Sequence, residues 1–171
     1  MNEPLLRLFF ALPCPPDCVA SIDQWRAELS VSGKPTSTSN LHVTLVFLGA
    51  QPAHQLPRLL ELADTITAPC FELTLERLAL WPNGLLHLAP RQAPKELLQL
   101  AQQLRQKLQD AGFEIEHRTY RPHLTLARQS CLPDKANALH LNWAVRSFSL
   151  FSSEQAAQGV NYRSLGHWSL H

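Results

Sequence analysis

Apolar positions recur along this chain with two different periods, and the switches between them predict its elements. Residues 5–12 (LLRLFFAL) form a short apolar run ended by Pro13, the pattern of a largely buried strand. Val19, Ile22, Trp25 and Leu29 then recur at helical spacing behind Asp17, which is placed to cap a helix over 17–29. Residues 30–40 are rich in turn formers and predict a polar loop, and 41–48 read as a strand stopped by Gly49 and Pro52. Leu56, Leu59, Leu60 and Ala63 share one helical face within 54–66. Phe71, Leu73 and Leu75 alternate, and 85–88 follow Trp81-Pro82-Asn83-Gly84, which predicts a β-hairpin across that turn. Pro94 opens an amphipathic helix over 95–111, with Gly112 just past its end. A strand follows Pro122 to about residue 127, then a loop over 131–142, and two strands, 145–151 and 162–170, that can form a hairpin.

The order β-α-β-α-β-β-α-β-β-β indicates an α+β fold with α/β-like interleaving. With 171 residues, 45% of them hydrophobic, the chain suits a single domain made of two half-domain lobes. No apolar run is long enough to span a bilayer, so no membrane association is expected. The start Met1-Asn2-Glu3-Pro4 lacks a basic region and a cleavage site, which sets the expectation of a cytoplasmic protein. Cys14, Cys18, Cys70 and Cys131 have neither C-x-x-C nor zinc-ribbon spacing and read as reduced thiols.

Net charge is +1, too small to attract a long duplex. The cations are unevenly placed, however. His117–Arg128 holds Arg118, Arg121 and Arg128 and no acid, which predicts a local anion pocket.

Candidate chemistry sits in a repeat: His42-Val43-Thr44-Leu45 and His123-Leu124-Thr125-Leu126 are both H-x-T-L. Composition alone gives roughly 0.07 expected matches to that pattern, so two copies in matching strand contexts point to function. Residues i and i+2 of a strand project from one face, so His42 points with Thr44 and His123 with Thr125. A pseudo-twofold arrangement of two halves brings all four to one groove. Two imidazoles flanking a phosphate supply the base that deprotonates the attacking oxygen and the acid that protonates the leaving one. The threonine hydroxyls suit the non-bridging oxygens. Arg128 adds a fixed charge there if the strand ends or twists near Ala127, since strict alternation turns it away. A catalytic metal site needs about three protein ligands, and neither histidine has Asp, Glu or Cys within five residues. No metal or cofactor is therefore expected. The other six histidines read as surface residues, with His117 at most on a pocket rim.

Three stretches together, Arg7-Leu8-Phe9-Phe10-Ala11, Asn40–Gly49 (NLHVTLVFLG) and Arg121–Arg128 (RPHLTLAR), resemble the 2H phosphoesterase superfamily. The likeness covers nearly the whole chain and is greatest to the branch of bacterial RNA 2′,3′-cyclic phosphodiesterases, also called 2′-5′ RNA ligases (LigT/ThpR-like). It implies a bilobal fold with two antiparallel sheets around a central groove, no metal, and a monomer. It implies hydrolysis of terminal 2′,3′-cyclic phosphate on RNA to a 2′-phosphomonoester, with weak reversible 2′-5′ joining of tRNA halves. By position, His42 matches the proton donor, His123 the proton acceptor, Thr44 and Thr125 the phosphate donors, and Arg128 a further phosphate contact. Phe47 matches an aromatic near the terminal base, and Tyr162 is a second stacking candidate. A nucleotide can also occupy the groove. One departure is Tyr120-Arg121-Pro122, where relatives often carry a Phe-x-Pro approach. Two alternatives stay open: another 2H activity on 2′-5′ oligonucleotides or cyclic nucleotides, or a non-catalytic module that binds RNA ends.

Overall fold

Strand β1 (Leu5–Pro13) lies inside a sheet because both of its faces are apolar: Leu8, Phe9, Phe10, Ala11 and Leu12 are all buried. The computed structural model describes residues 2–134 and 139–171. After β1 come α1 (Pro16–Leu29), β2 (Lys34–Pro35), β3 (His42–Pro52), α2 (Leu56–Asp64), β4 (Phe71–Leu75), β5 (Arg77–Leu80) and β6 (Leu86–Ala89). Then follow α3 (Lys95–Asp110), β7 (Leu124–Arg128), β8 (Leu141–Val145), β9 (Ser147–Ala156) and β10 (Gly159–Ser169). One antiparallel sheet runs β10-β9-β1-β3-β7-β6-β5, with β2 added along β7, and β4 pairs with β8 in a separate ribbon.

Helix α3 buries Leu97, Leu100, Ala101, Leu104 and Leu108 at spacings of three and four, and packs against β3. Helix α1 buries Cys18, Ile22 and Trp25. These stripes share one continuous core with Val43, Leu45, Leu124 and Leu126, so the helices cover one face of the sheet. The polar residues of the two H-x-T-L copies are left on the other face.

The sheet divides into β10-β9-β1-β3 and β7-β6-β5, joined through a single backbone pair, Val43 with Leu124. These are the middle residues of the two motifs. An antiparallel pair has a local twofold axis between its partners, so this pairing superimposes one motif on the other. Continued one residue each way, the register sets His42 across from Thr125 and Thr44 across from His123.

Several expected elements are redrawn. The stretch 71–80 is not one hairpin strand. It breaks at Glu76, so β4 leaves to pair with β8 and only β5 pairs with β6. Asp17 does not cap α1: the cap is Pro15, with no side-chain hydrogen bond, and Asp17 sits in the first turn where a carboxylate suits the helix dipole. The last hairpin is longer than expected, with β9 and β10 joined at Ala157-Gln158. The loop expected over 131–142 gives up Leu141 and Asn142 to β8, and residues 135–138 of it lie outside the described residues.

The polar stretch 30–40 contains β2, whose Lys34 and Pro35 pair with Arg128 and Ala127. Gly33 makes this approach possible. Its φ is +85°, and a Cβ there would overlap the backbone oxygens of Arg128 and Gln129. Gly33→Ala is expected to lower unfolding stability by about 1–3 kcal/mol from the left-handed backbone alone and to lift Lys34 off β7. Chemical denaturation with inorganic phosphate titration checks both; unchanged stability and unchanged phosphate affinity would refute the expectation.

Candidate active site

Each motif leucine is a β-bulge, and the two bulges decide what the groove contains. On β3, Ala11 pairs with Thr44 but Phe10 pairs with Val46, leaving Leu45 as an extra residue. On β7, His87 pairs with Thr125 but Leu86 pairs with Ala127, leaving Leu126 extra. Both leucines and the residue after each are buried, so alternation shifts by one. The fifth residue after each histidine, Phe47 in one copy and Arg128 in the other, therefore turns out to the groove face. Phe47 is 45% exposed.

The bulges are braced from outside the motifs. The Leu126 carbonyl accepts from the Thr36 N–H at 2.9 Å and from Nη1 of buried Arg26 at 3.0 Å, and that Nη1 also donates to the Thr36 carbonyl at 2.7 Å. On the first copy, the Tyr120 hydroxyl donates to the Thr44 carbonyl at 2.7 Å across the groove seam. Burial pushes the Tyr120 phenol up, so it stays a donor. Tyr120 thus ties the approach to the second histidine onto the first motif.

The two imidazoles are held alike. His42 Nδ1 lies 2.6 Å from the Asn40 carbonyl, and His123 Nδ1 lies 2.9 Å from the Arg121 carbonyl. A carbonyl only accepts, so each Nδ1 carries the hydrogen and Nε2 is left to take or give a proton. His42 Nε2 also meets the Thr44 hydroxyl at 3.0 Å. Asn40 is itself fixed, its Nδ2 donating to the Val160 carbonyl at 2.7 Å. Rings wall in each histidine. Phe9 and Tyr162 lie 5.0 and 5.2 Å from His42, while Trp81 and His87 lie 4.5 and 5.5 Å from His123, centroid to centroid.

All seven candidates, His42, Thr44, Phe47, His123, Thr125, Arg128 and Tyr162, line one cavity of about 700 Å³. The other expectations for histidines need correction at two positions. His87 is not a surface residue: it is 2% exposed, its Nδ1 meets the Leu85 carbonyl at 3.1 Å, and its ring lies against Trp81 and His123. His117 is exposed and lines a separate surface hollow with Phe113 and Glu114 instead of the groove rim. Sequence reasoning also missed Phe9, Lys34, Asn40 and Trp81. The one signal on offer was the polar residue two positions before a motif histidine, where a carbonyl reaches back to Nδ1.

Burial lowers the pKa of His42, His87 and His123 below the ordinary 6.5, and the neighbouring charges of the opposite histidine and Arg128 lower His42 further. For His123 the added charges are His87 and Arg128. All three rings are thus neutral at pH 7 in the free protein. Unfolding restores the ordinary value, so the unfolded chain takes up protons first as pH falls through 6.5. Their stabilisation is complete above that pH and lost on acidification towards and below the folded values. The melting temperature is expected to drop steeply between pH 7 and pH 5, and His87→Phe should make that drop shallower by about one proton. An unchanged slope in that variant would show that His87 is not held neutral.

All four cysteines are free, and burial pushes the Cys14 thiol up to about 12, so it stays protonated. Among the described residues, no group of three or more His, Cys, Asp or Glu is placed to hold a metal ion, and no helix is long and apolar enough to cross a membrane.

Comparison with known proteins agrees with this geometry. The family model for the 2′-5′ RNA ligase superfamily matches residues 14–155. The RNA 2′,3′-cyclic phosphodiesterase of Escherichia coli is 36% identical over 99% of both chains. That of Thermus thermophilus is 30% identical over 96% of this chain and 90% of the relative. Among solved structures, E. coli LigT complexed with 3′-AMP superimposes with a TM-score of 0.89 at 34% identity, covering 98% of this chain and 99% of that one. The same E. coli protein is also known in complexes with phosphate, NADP+ and ATP. The repeat, the bulges and these likenesses agree: the chain belongs to the 2′-5′ RNA ligase superfamily of 2H phosphoesterases.

Proposed function

We propose that this protein hydrolyses the 2′,3′-cyclic phosphate at RNA ends to a 2′-phosphomonoester. The observation that supports this most is the local twofold at Val43 and Leu124, which puts two imidazoles, each with Nδ1 held by a carbonyl, on a single cavity with Arg128. Similar proteins of E. coli and T. thermophilus carry the name of that activity.

In this reading the phosphate lies between the histidines. His123 Nε2 takes a proton from water as it attacks phosphorus, the bond from phosphorus to O3′ breaks, and His42 Nε2 gives its proton to O3′. His42 must be charged for this step although burial keeps it neutral in the free protein. The bound phosphate anion supplies the opposite charge that restores its proton. Thr44 and Thr125 donate to the non-bridging oxygens, and Arg128, joined by its strand neighbour Lys34, balances charge as the transition state forms. The Phe47 and Tyr162 faces suit the terminal base. The two lobes act as one domain, since each supplies one histidine. RNA ends such as tRNA fragments are the expected partners, a nucleotide is an expected competitor for the groove, and the protein is expected to work as a cytoplasmic monomer. Weak 2′-5′ joining is the same displacement with the 5′-hydroxyl of a second RNA in place of water: His123 takes the hydroxyl proton, the bond from phosphorus to O3′ breaks, and His42 protonates O3′.

The test is incubation, in EDTA, with a short RNA ending in 2′,3′-cyclic phosphate, reading the terminal phosphate of the product. A 2′-phosphate supports the proposal. A 3′-phosphate overturns the leaving-group assignment, and no turnover by folded protein points to another phosphodiester or to an RNA-end binding module.

A further inference from the structure

A second cavity of about 630 Å³ adjoins the first at His123, and Thr44, Phe47 and His123 line both. The two differ in chemistry. The first holds Lys34 beside Arg128 and Arg7 against the Phe47 ring, and is otherwise walled by uncharged amides and hydroxyls, among them Asn40, Ser153, Gln155 and Asn161, with the Phe9 and Tyr162 rings. That lining fits the edge and face of a base. The second is lined by Arg105, Arg118 and Arg121, with Glu116 as its only acid.

These cations sit on a fixed frame. Arg105 Nη1, on α3, donates to the Arg118 carbonyl at 2.9 Å, tying the segment before the second motif to the helix. Arg118 reaches Glu116 but remains 80% exposed, and Arg121 forms no ion pair among the described residues. Tyr120, hydrogen-bonded to the Thr44 carbonyl, closes the base of the cavity, and the Trp81 ring forms its wall beside His123. Three arginines against one carboxylate leave an excess of positive charge next to the histidine that faces the reacting phosphate.

An RNA end has two things to place around its cyclic phosphate. One is the terminal nucleoside and the other is the chain that continues from its 5′ oxygen, which is anionic. Resting on the activity proposed above, we infer that the Arg105–Arg118–Arg121 cavity is a subsite for the phosphodiester joining the terminal nucleotide to its predecessor. The protein then selects oligonucleotide ends over cyclic mononucleotides by charge, without reading sequence at that position.

The experiment compares an adenylate trinucleotide ending in 2′,3′-cyclic phosphate with adenosine 2′,3′-cyclic phosphate, for the native protein and for Arg118→Gln, Arg121→Gln and the double variant. The ratio of kcat/KM, trinucleotide over mononucleotide, is expected to fall roughly tenfold in the double variant, mainly through KM. Binding of the trinucleotide with a terminal 2′-phosphate is measured beside it over a range of salt. Loss of this one phosphate contact in the double variant should reduce the salt slope by about 0.7. An unchanged ratio together with an unchanged slope overturns the subsite, as does a native protein that treats both substrates alike. If the native protein turns over neither substrate yet binds the trinucleotide through these arginines, the subsite stands and the proposed reaction falls.

Discussion

Replacing His42 or His123 with alanine is expected to cut turnover of cyclic-phosphate RNA by about 10²–10⁴-fold in each case, with the far-UV spectrum of the folded protein retained. The size follows from the loss of a positioned proton donor or acceptor whose Nδ1 side is already fixed by the Asn40 or Arg121 carbonyl. Losses in the double variant should not add, because acid and base serve one step. In the native protein kcat/KM should follow a bell in pH, since one ring must be charged and the other neutral. Its maximum should lie on the acid side of the range usual for histidine, because burial lowers both rings. A single-alanine variant that keeps near-native turnover would dismiss the pair as acid and base.

Arg128→Ala is expected to lower turnover by about 10²–10³-fold, the usual loss when one preorganised donor to a developing charge is removed. Arg128→Lys should recover only part of this, because an ammonium cannot reproduce the planar two-point contact of guanidinium with phosphate. A second readout separates charge from mere packing. Arg128 lowers the pKa of both His42 and His123, so removing it should raise both and move the whole pH profile upward. A profile that stays in place with turnover near native would mean that Arg128 faces the groove without touching the reaction.

The site was more legible in the sequence than the path of the chain around it. A repeated H-x-T-L fixes which residues share a face, because strand geometry leaves no choice about i and i+2. The position of Arg128 was legible only as a condition, that the strand ends or twists near Ala127. The answer lies in the Leu126 bulge, and bulges have no residue signature when a leucine fills them. Phe47 gains its place by the same device at Leu45. The strand break at Glu76 and the pairing of β2 depend on partners remote in sequence, which local patterning does not carry. His87 escapes a sequence reading for a similar reason: an isolated histidine looks like surface until its strand is known to lie beside β7.

The order of strands also has a consequence for how the protein comes into being. β1 is made well before β9, yet Leu8–Ala11 need Ser149–Ser152 as their second neighbours, and the Tyr162 wall of His42 comes later still. Pairings of such long sequence separation make folding slow compared with a helical bundle of equal size. While the chain is being synthesised, both histidines emerge before the sheet that orients the first of them can close. A ribosome-bound chain therefore carries the complete motif pair well before it carries the site, and an early-arrested product should be inert towards RNA even with both H-x-T-L copies intact.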